Sequence, residues 1–140
     1  MFKKRLLLVL SLLLIVSAIA LPMAVSAGSY SVRFGFMWVP RQMQAPKTLT
    51  VDGISVTVMP DSIPNGGPVI LRVIRGPDGW FMADFWPDRE FEIPVVMDFG
   101  GVYELNYHAG SSLLPIVPRS PELVWARFFS EHFSRYSGWH

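Results

Sequence analysis

Three kinds of hydrophobic pattern follow one another along the chain. Residues 6–21, LLLVLSLLLIVSAIAL, are apolar with only Ser11 and Ser17 between them. From residue 30 the pattern changes to strict alternation. Tyr30, Val32, Phe34, Phe36 and Trp38 fall on one side, and Ser31, Arg33, Gly35 and Met37 on the other. A period of two predicts a half-buried strand. In KTLTVDGISVTVM, residues 47–59, the dipeptide Asp52-Gly53 predicts a two-residue hairpin turn, because a type I′ turn needs positive φ at both positions. The register then follows. Val51 faces Ile54 and Leu49 faces Val56, so one face is aliphatic. Thr48 and Thr50 face Thr57 and Ser55, so the other carries hydroxyls. A slip of one residue would destroy that sorting.

VILRVIR (69–75) and WFMADFW (80–86) are apolar on both faces, broken by arginines in the first and by Asp84 in the second. GPDG between them fits a type I turn. In REFEIPVVM, Phe91, Ile93, Val95 and Met97 share a face, and Pro94 predicts an edge or bulged strand. DFGG predicts another turn. VYELNYHA then turns Tyr103, Leu105 and Tyr107 inward. Seven short strands separated by turn signals predict an all-β fold, a small antiparallel β-sandwich of immunoglobulin-like or similar Greek-key type.

The third pattern occupies the last twenty residues. Ser120, Pro121 and Glu122 have the order of a helix N-cap, first position and first-turn acid. At about 100° per residue, Trp125, Phe128, Phe129, His132, Phe133 and Tyr136 fall within an arc of roughly 140°. Arg127, Ser130, Glu131 and Ser134 take the other side, and Gly138 supplies a stop. This reads as an amphipathic C-terminal helix over 119–140 with a docking face of Trp125, Phe128, Phe129, Phe133 and Tyr136. The outer face of residues 80–86 offers that helix an apolar surface. Residues 110–120 are long enough to bring it there.

One stretch carries a resemblance. GGVYEL, residues 100–105, resembles the tyrosine-corner region of immunoglobulin-like sandwiches, with Tyr103 and Leu105 in the places of the tyrosine and the buried residue after it. Leu105 stands where antibody domains carry cysteine. GVYELNYH is also similar to a stretch of the cupredoxins, whose copper site needs a cysteine ligand that this chain lacks. The resemblance implies a sandwich and no particular activity.

The first apolar run gains a meaning from its flanks. Lys3, Lys4 and Arg5 precede it, Pro22 breaks it, and Val25-Ser26-Ala27 offers small residues for cleavage. This is the layout of a secretory signal peptide over 1–27, with a β-sandwich domain over 28–118; the alternative is an uncleaved membrane tether. Export makes the protein secreted or extracytoplasmic. Loss of three positive charges moves the formal balance from +1 to −2, which leaves no electrostatic footprint for nucleic acid. The chain has no cysteine, so the fold is disulfide-free and has neither thiol nucleophile nor thiolate metal ligand.

No nucleotide-binding or hydrolase motif is present. His108, His132 and His140 lack metal-ligand spacing, and Asp78, Asp84 and Asp88 read as turn residues. Neither a cofactor nor a metal is expected. The surplus aromatic surface points instead to a non-catalytic module that binds or scaffolds at the cell envelope. Trp80, Phe81, Phe85, Trp86 and Asp84 are the candidate contacts for a protein or glycan partner. The rival reading is a small carbohydrate-binding or hydrolytic protein with an aromatic platform around Trp80 and Trp86. Membrane contact would run through the tail helix or an uncleaved signal.

Overall fold

A computed structural model describes residues 30–140; the expected signal peptide lies outside the described residues. Val32–His140 forms one compact unit. Ten strands follow in order: β1 (Ser31–Val39), β2 (Lys47–Val51), β3 (Ile54–Val58), β4 (Gly67–Arg75), β5 (Trp80–Trp86), β6 (Glu90–Val102), β7 (Glu104–Ala109), β8 (Ser112–Val117), β9 (Val124–His132) and β10 (Arg135–Trp139). They build two sheets, one ordered β1-β4-β5-β10-β7-β8 and the other β2-β3-β6-β9, with antiparallel pairing, packed as a sandwich. The core lies between them. Val56, Val58, Val69, Leu71, Phe81, Val95, Met97, Phe99 and Leu105 are fully buried there.

The β2–β3 hairpin forms as its sequence dictates. Val51 pairs with Ile54, Thr50 with Ser55, Leu49 with Val56 and Thr48 with Thr57. Asp52 and Gly53 both have positive φ, 50° and 81°. Val51, Ile54 and Val56 enter the core, while the Thr48 and Thr57 hydroxyls meet at 2.8 Å on the other face. The GPDG turn differs from expectation, because Asp78 takes φ 59°, which a type I turn does not use at its third position. Pro94 marks a bulge and not an edge. β6 lies between β3 and β9, and its register with β9 shifts between Glu90 and Val95. That shift turns Ile93 to solvent while Phe91 and Val95 stay buried. DFGG is also a bulge inside β6: Asp98 Oδ1 accepts the Gly100 amide at 2.8 Å, and the chain leaves the sheet only at Tyr103. Tyr103 is exposed there, while Leu105 is buried.

The expected C-terminal helix over 119–140 is absent; that segment is β9 and β10, and belongs to the sandwich. Ser120 does use its hydroxyl locally, accepting the Glu122 amide at 3.2 Å, but in a turn that no helix follows. The same residues that fit a helical arc also alternate. Ala126, Phe128 and Ser130 turn inward, and Trp125, Arg127, Phe129 and Glu131 turn outward. A short segment rich in aromatic residues packs well on a pleated surface, and pairing with β6 decides between the two periods. The intended docking face is dispersed as a result. Phe133 and Tyr136 are core residues, Phe128 packs at the core margin, and Trp125 and Phe129 are exposed.

β10 enters the middle of the larger sheet, between β5 and β7. Gly138 makes that insertion fit, because a Cβ there would lie 2.0 Å from the Glu104 carbonyl oxygen of β7. Tyr136 anchors the strand below, against Phe85, Phe99, Tyr107 and Phe128. Gly138→Ala should therefore lower stability by about 1–3 kcal/mol in urea denaturation, as a side chain forced into a packed interface does. Deleting residues 135–140 should abolish the cooperative transition, since β5 and β7 would each lose a partner.

Candidate functional site

The outer face of the larger sheet is organised by one polar row. Register places Arg72 of β4 beside Asp84 of β5, Asp84 beside Arg135 of β10, and Arg135 beside His108 of β7. The Asp84 carboxylate is 5% exposed and holds both guanidinium groups. Arg72 Nε donates to Oδ2 at 2.9 Å, with Arg72 Nη2 on the same oxygen, and Arg135 Nε donates to Oδ1 at 2.5 Å. This accounts for the single acid in WFMADFW and for an arginine in VILRVIR: each is the polar member of a cross-strand pair. Arg72 also lies over the Trp86 ring, its guanidinium carbon 5.1 Å from the centroid. No helix of the described residues covers this face.

Beside the row, at one end of the strands, lies a cleft of about 580 Å³. Trp86, Asp88 and Glu90 line it from the β5–β6 side, Tyr107 and His108 from β7, and His132 and Arg135 from the β9–β10 turn. Main-chain bonds fix its floor: the Phe85 amide donates to Ser134 O and the Phe133 amide to Arg89 O, each at 3.1 Å. The His132 ring packs on Tyr107 at 5.1 Å, and Phe133 stacks on Phe85 beneath.

The contact closest to a nucleophile–base pair joins His108 Nε2 and Ser137 Oγ at 2.8 Å. Sequence spacing hides it, since the residues are 29 apart and meet only because β10 pairs with β7. It is poorly made for catalysis. Ser137 is nearly buried in the middle of a strand. Burial, and then the positive charge of Arg135, push the His108 imidazole below its ordinary value, against a smaller upward pull from Asp84. Among the described residues, no three His, Asp or Glu side chains converge as metal ligands.

The sequence-derived candidates divide. Asp84 and Trp86 belong to the polar row and the cleft, and Trp86 is 38% exposed. Phe81 and Phe85 are buried on the opposite face of β5, inside the core. Trp80 shares the face of Trp86 but sits six residues away, roughly 20 Å along the strand, and is half-buried. The two tryptophans therefore form no single platform. Glu90, His108, His132 and Arg135 complete the cleft, and only the tertiary fold brings them to Trp86.

Another exposed apolar surface is β1. Val32, Phe34, Phe36 and Trp38 are 53–66% exposed, on the outer face. A half-buried strand would turn its aromatic side in; here Met37 and Val39 face the core instead. Gly35 gives the reason. Its missing side chain leaves the space that Val51 and Leu49 of the hairpin occupy, and a Cβ would lie 2.3 Å from Val51 Cγ2. β1 approaches β2 too closely for aromatic side chains to fit between.

At the far end of the sheet, His140 closes the edge of the core. Its ring stacks on Phe81 at 4.4 Å, Nε2 donates to Phe99 O at 2.6 Å, and Nδ1 meets Arg75 Nη1. Arg75 in turn holds Asp52 at the hairpin tip. A donor at Nε2 and a guanidinium at Nδ1 fit the neutral ring. Burial is the main cause that pushes its pKa down; the Phe99 hydrogen bond raises it, Arg75 lowers it and Asp52 raises it.

Two predictions follow from these contacts. Asp84→Asn should cost about 1–3 kcal/mol in urea denaturation, because it leaves two arginines without their charge partner, whereas Asp88→Asn, at an exposed position, should cost less than about 0.5 kcal/mol. The second concerns acid. A depressed native pKa means that below about 6.5 the unfolded chain takes up the His140 proton before the folded chain does. Stability should be greatest above that value and fall as pH drops from there through the lower native pKa. Replacing His140 with Gln should flatten this pH dependence, measured as denaturation midpoints between pH 8 and pH 5. No protein-family model, curated protein or solved structure matches this chain.

Proposed function

We propose that this is an exported, non-catalytic β-sandwich module that binds or scaffolds at the cell envelope. The observation that carries the reading is the row of Val32, Phe34, Phe36 and Trp38, exposed along a nine-residue edge strand. A folded domain with a filled core gains nothing in stability from aromatic side chains held in water, so a surface of this kind serves contact. Export rests on Lys3–Arg5, the apolar run and Val25-Ser26-Ala27. Repeated passage of the chain between the sheets, at β1–β2, β3–β4, β5–β6, β6–β7, β8–β9 and β9–β10, supports a Greek-key, immunoglobulin-like arrangement.

The Trp86 cleft favours a second reading, a carbohydrate ligand. A tryptophan face suits the C–H face of a sugar ring, and the carboxylates, imidazoles and Arg135 around it suit its hydroxyls. Titration with soluble cell-wall oligosaccharides, followed by tryptophan fluorescence, separates the two. The first reading expects no saturable change. Saturable binding that Trp86→Ala weakens at least tenfold would establish the second. No turnover of p-nitrophenyl esters or glycosides is expected on either, and ester hydrolysis lost in Ser137→Ala would overturn the non-catalytic reading.

A further inference from the structure

The sandwich has four edge strands among the described residues: β1 and β8 in the larger sheet, β2 and β9 in the smaller. An unpaired edge is a template for another strand, and proteins guard edges with prolines, charges, bulges or short length. Three of the four are guarded. β8 carries Pro115, which has no amide to donate. β9 exposes Arg127 and Glu131, and its ladder with β6 is interrupted twice. β2 is five residues long and begins with Lys47.

β1 is different. It is nine residues long, contains no proline, and has a single charge, Arg33. Its only visible guard is at one end, where Lys47 Nζ donates to Trp38 O at 2.8 Å. An extended aromatic edge with one charge accepts a strand of the same character, because main-chain bonds supply affinity and neighbouring side chains on each face must match. β1 itself is such a strand.

We propose that the partner of this edge is a second copy of the chain, joined β1 to β1 in antiparallel fashion about a two-fold axis at Gly35. The register is self-complementary. Phe34 of each copy lies opposite Phe36 of the other and Val32 opposite Trp38, all on the outer face. Each Arg33 faces Met37, so the single charge never meets its own copy. Gly35 faces Gly35, where no side chain obstructs the approach. A closed, isologous pair also removes the exposed edge that would otherwise propagate aggregation. The dimer joins two larger sheets into one continuous sheet and sets two Trp86 clefts on a common face. This inference rests on β1 as the contact surface and names its occupant.

The test uses the purified protein in the N-terminal form that the cell exports. Sedimentation velocity over a hundredfold concentration range should show a monomer–dimer equilibrium. Phe36→Lys should raise the dimer dissociation constant at least tenfold. Phe36 is 63% exposed, so the melting temperature of that variant should stay within a few degrees of the parent. Because the chain has no cysteine, register can be read directly. A mixture of Phe34→Cys and Phe36→Cys proteins should form the mixed disulfide in preference to either homodimer. A monomer at every concentration, a dimer indifferent to Phe36→Lys, or disulfides without preference for the 34–36 pair would overturn the proposal. If the monomer instead sediments with phosphatidylcholine–phosphatidylglycerol vesicles, and Phe36→Lys abolishes this, β1 remains the contact surface but its occupant is lipid.

Discussion

The Asp84 carboxylate is the point on which the larger sheet turns. It is an acid in the middle of an apolar strand, 5% exposed, with a guanidinium on each neighbouring strand. Removing such a group from water is costly unless its lone pairs are met. Arg72 and Arg135 meet them from β4 and β10, so the ion pair is satisfied only when β10 lies beside β5 in this register. A chain with β10 elsewhere would keep the Arg72 pair but leave the buried Oδ1 without its donor. The row thus selects the topology more than it adds net stability, since buried pairs roughly balance desolvation against attraction.

The insertion of β10 governs what lies around it. On the inner side, Tyr136 brings its ring into the aromatic core beside Phe85 and Phe99, and Ser130 Oγ lies 3.4 Å from its hydroxyl. Burial is the larger influence on that hydroxyl and pushes its pKa above the ordinary value, against the Ser130 hydrogen bond. On the outer side, Ser137 holds His108, Arg135 holds Asp84, and the turn before β10 forms the floor of the cleft. The core and the candidate site therefore share one element. The β1 edge is held separately, through Gly35 and the hairpin.

The β2–β3 turn is legible because local chemistry alone decides it, whereas GPDG and DFGG carry turn residues without fixing which turn or bulge forms. Asp52-Gly53 set a register that any slip would have scrambled. The division of β5 into Trp80–Met82–Trp86 and Phe81–Ala83–Phe85 was also legible, because a strand has only two faces. Sequence and structure part where one residue set fits two periods. Residues 124–132 satisfy a helical arc and a strand alternation alike, and the capping signal at Ser120 is common to helix starts and simple turns. Ile93 left its expected face because a bulge adds a residue that composition does not show.

By itself, then, the sequence determined an all-β class, the hairpin and its register, and the alternation that gives each strand two unlike faces; these follow from turn sterics and from a period of two. Which face of β1 meets the core was decided only by tertiary structure, since a glycine's meaning depends on what packs against it, here Val51 and Leu49. So was the cleft. Trp86, Glu90, His108, His132 and Arg135 are far apart along the chain, and no local rule relates them. They meet because β10 pairs with β5 and β7, and that pairing is fixed by one carboxylate with two distant arginines.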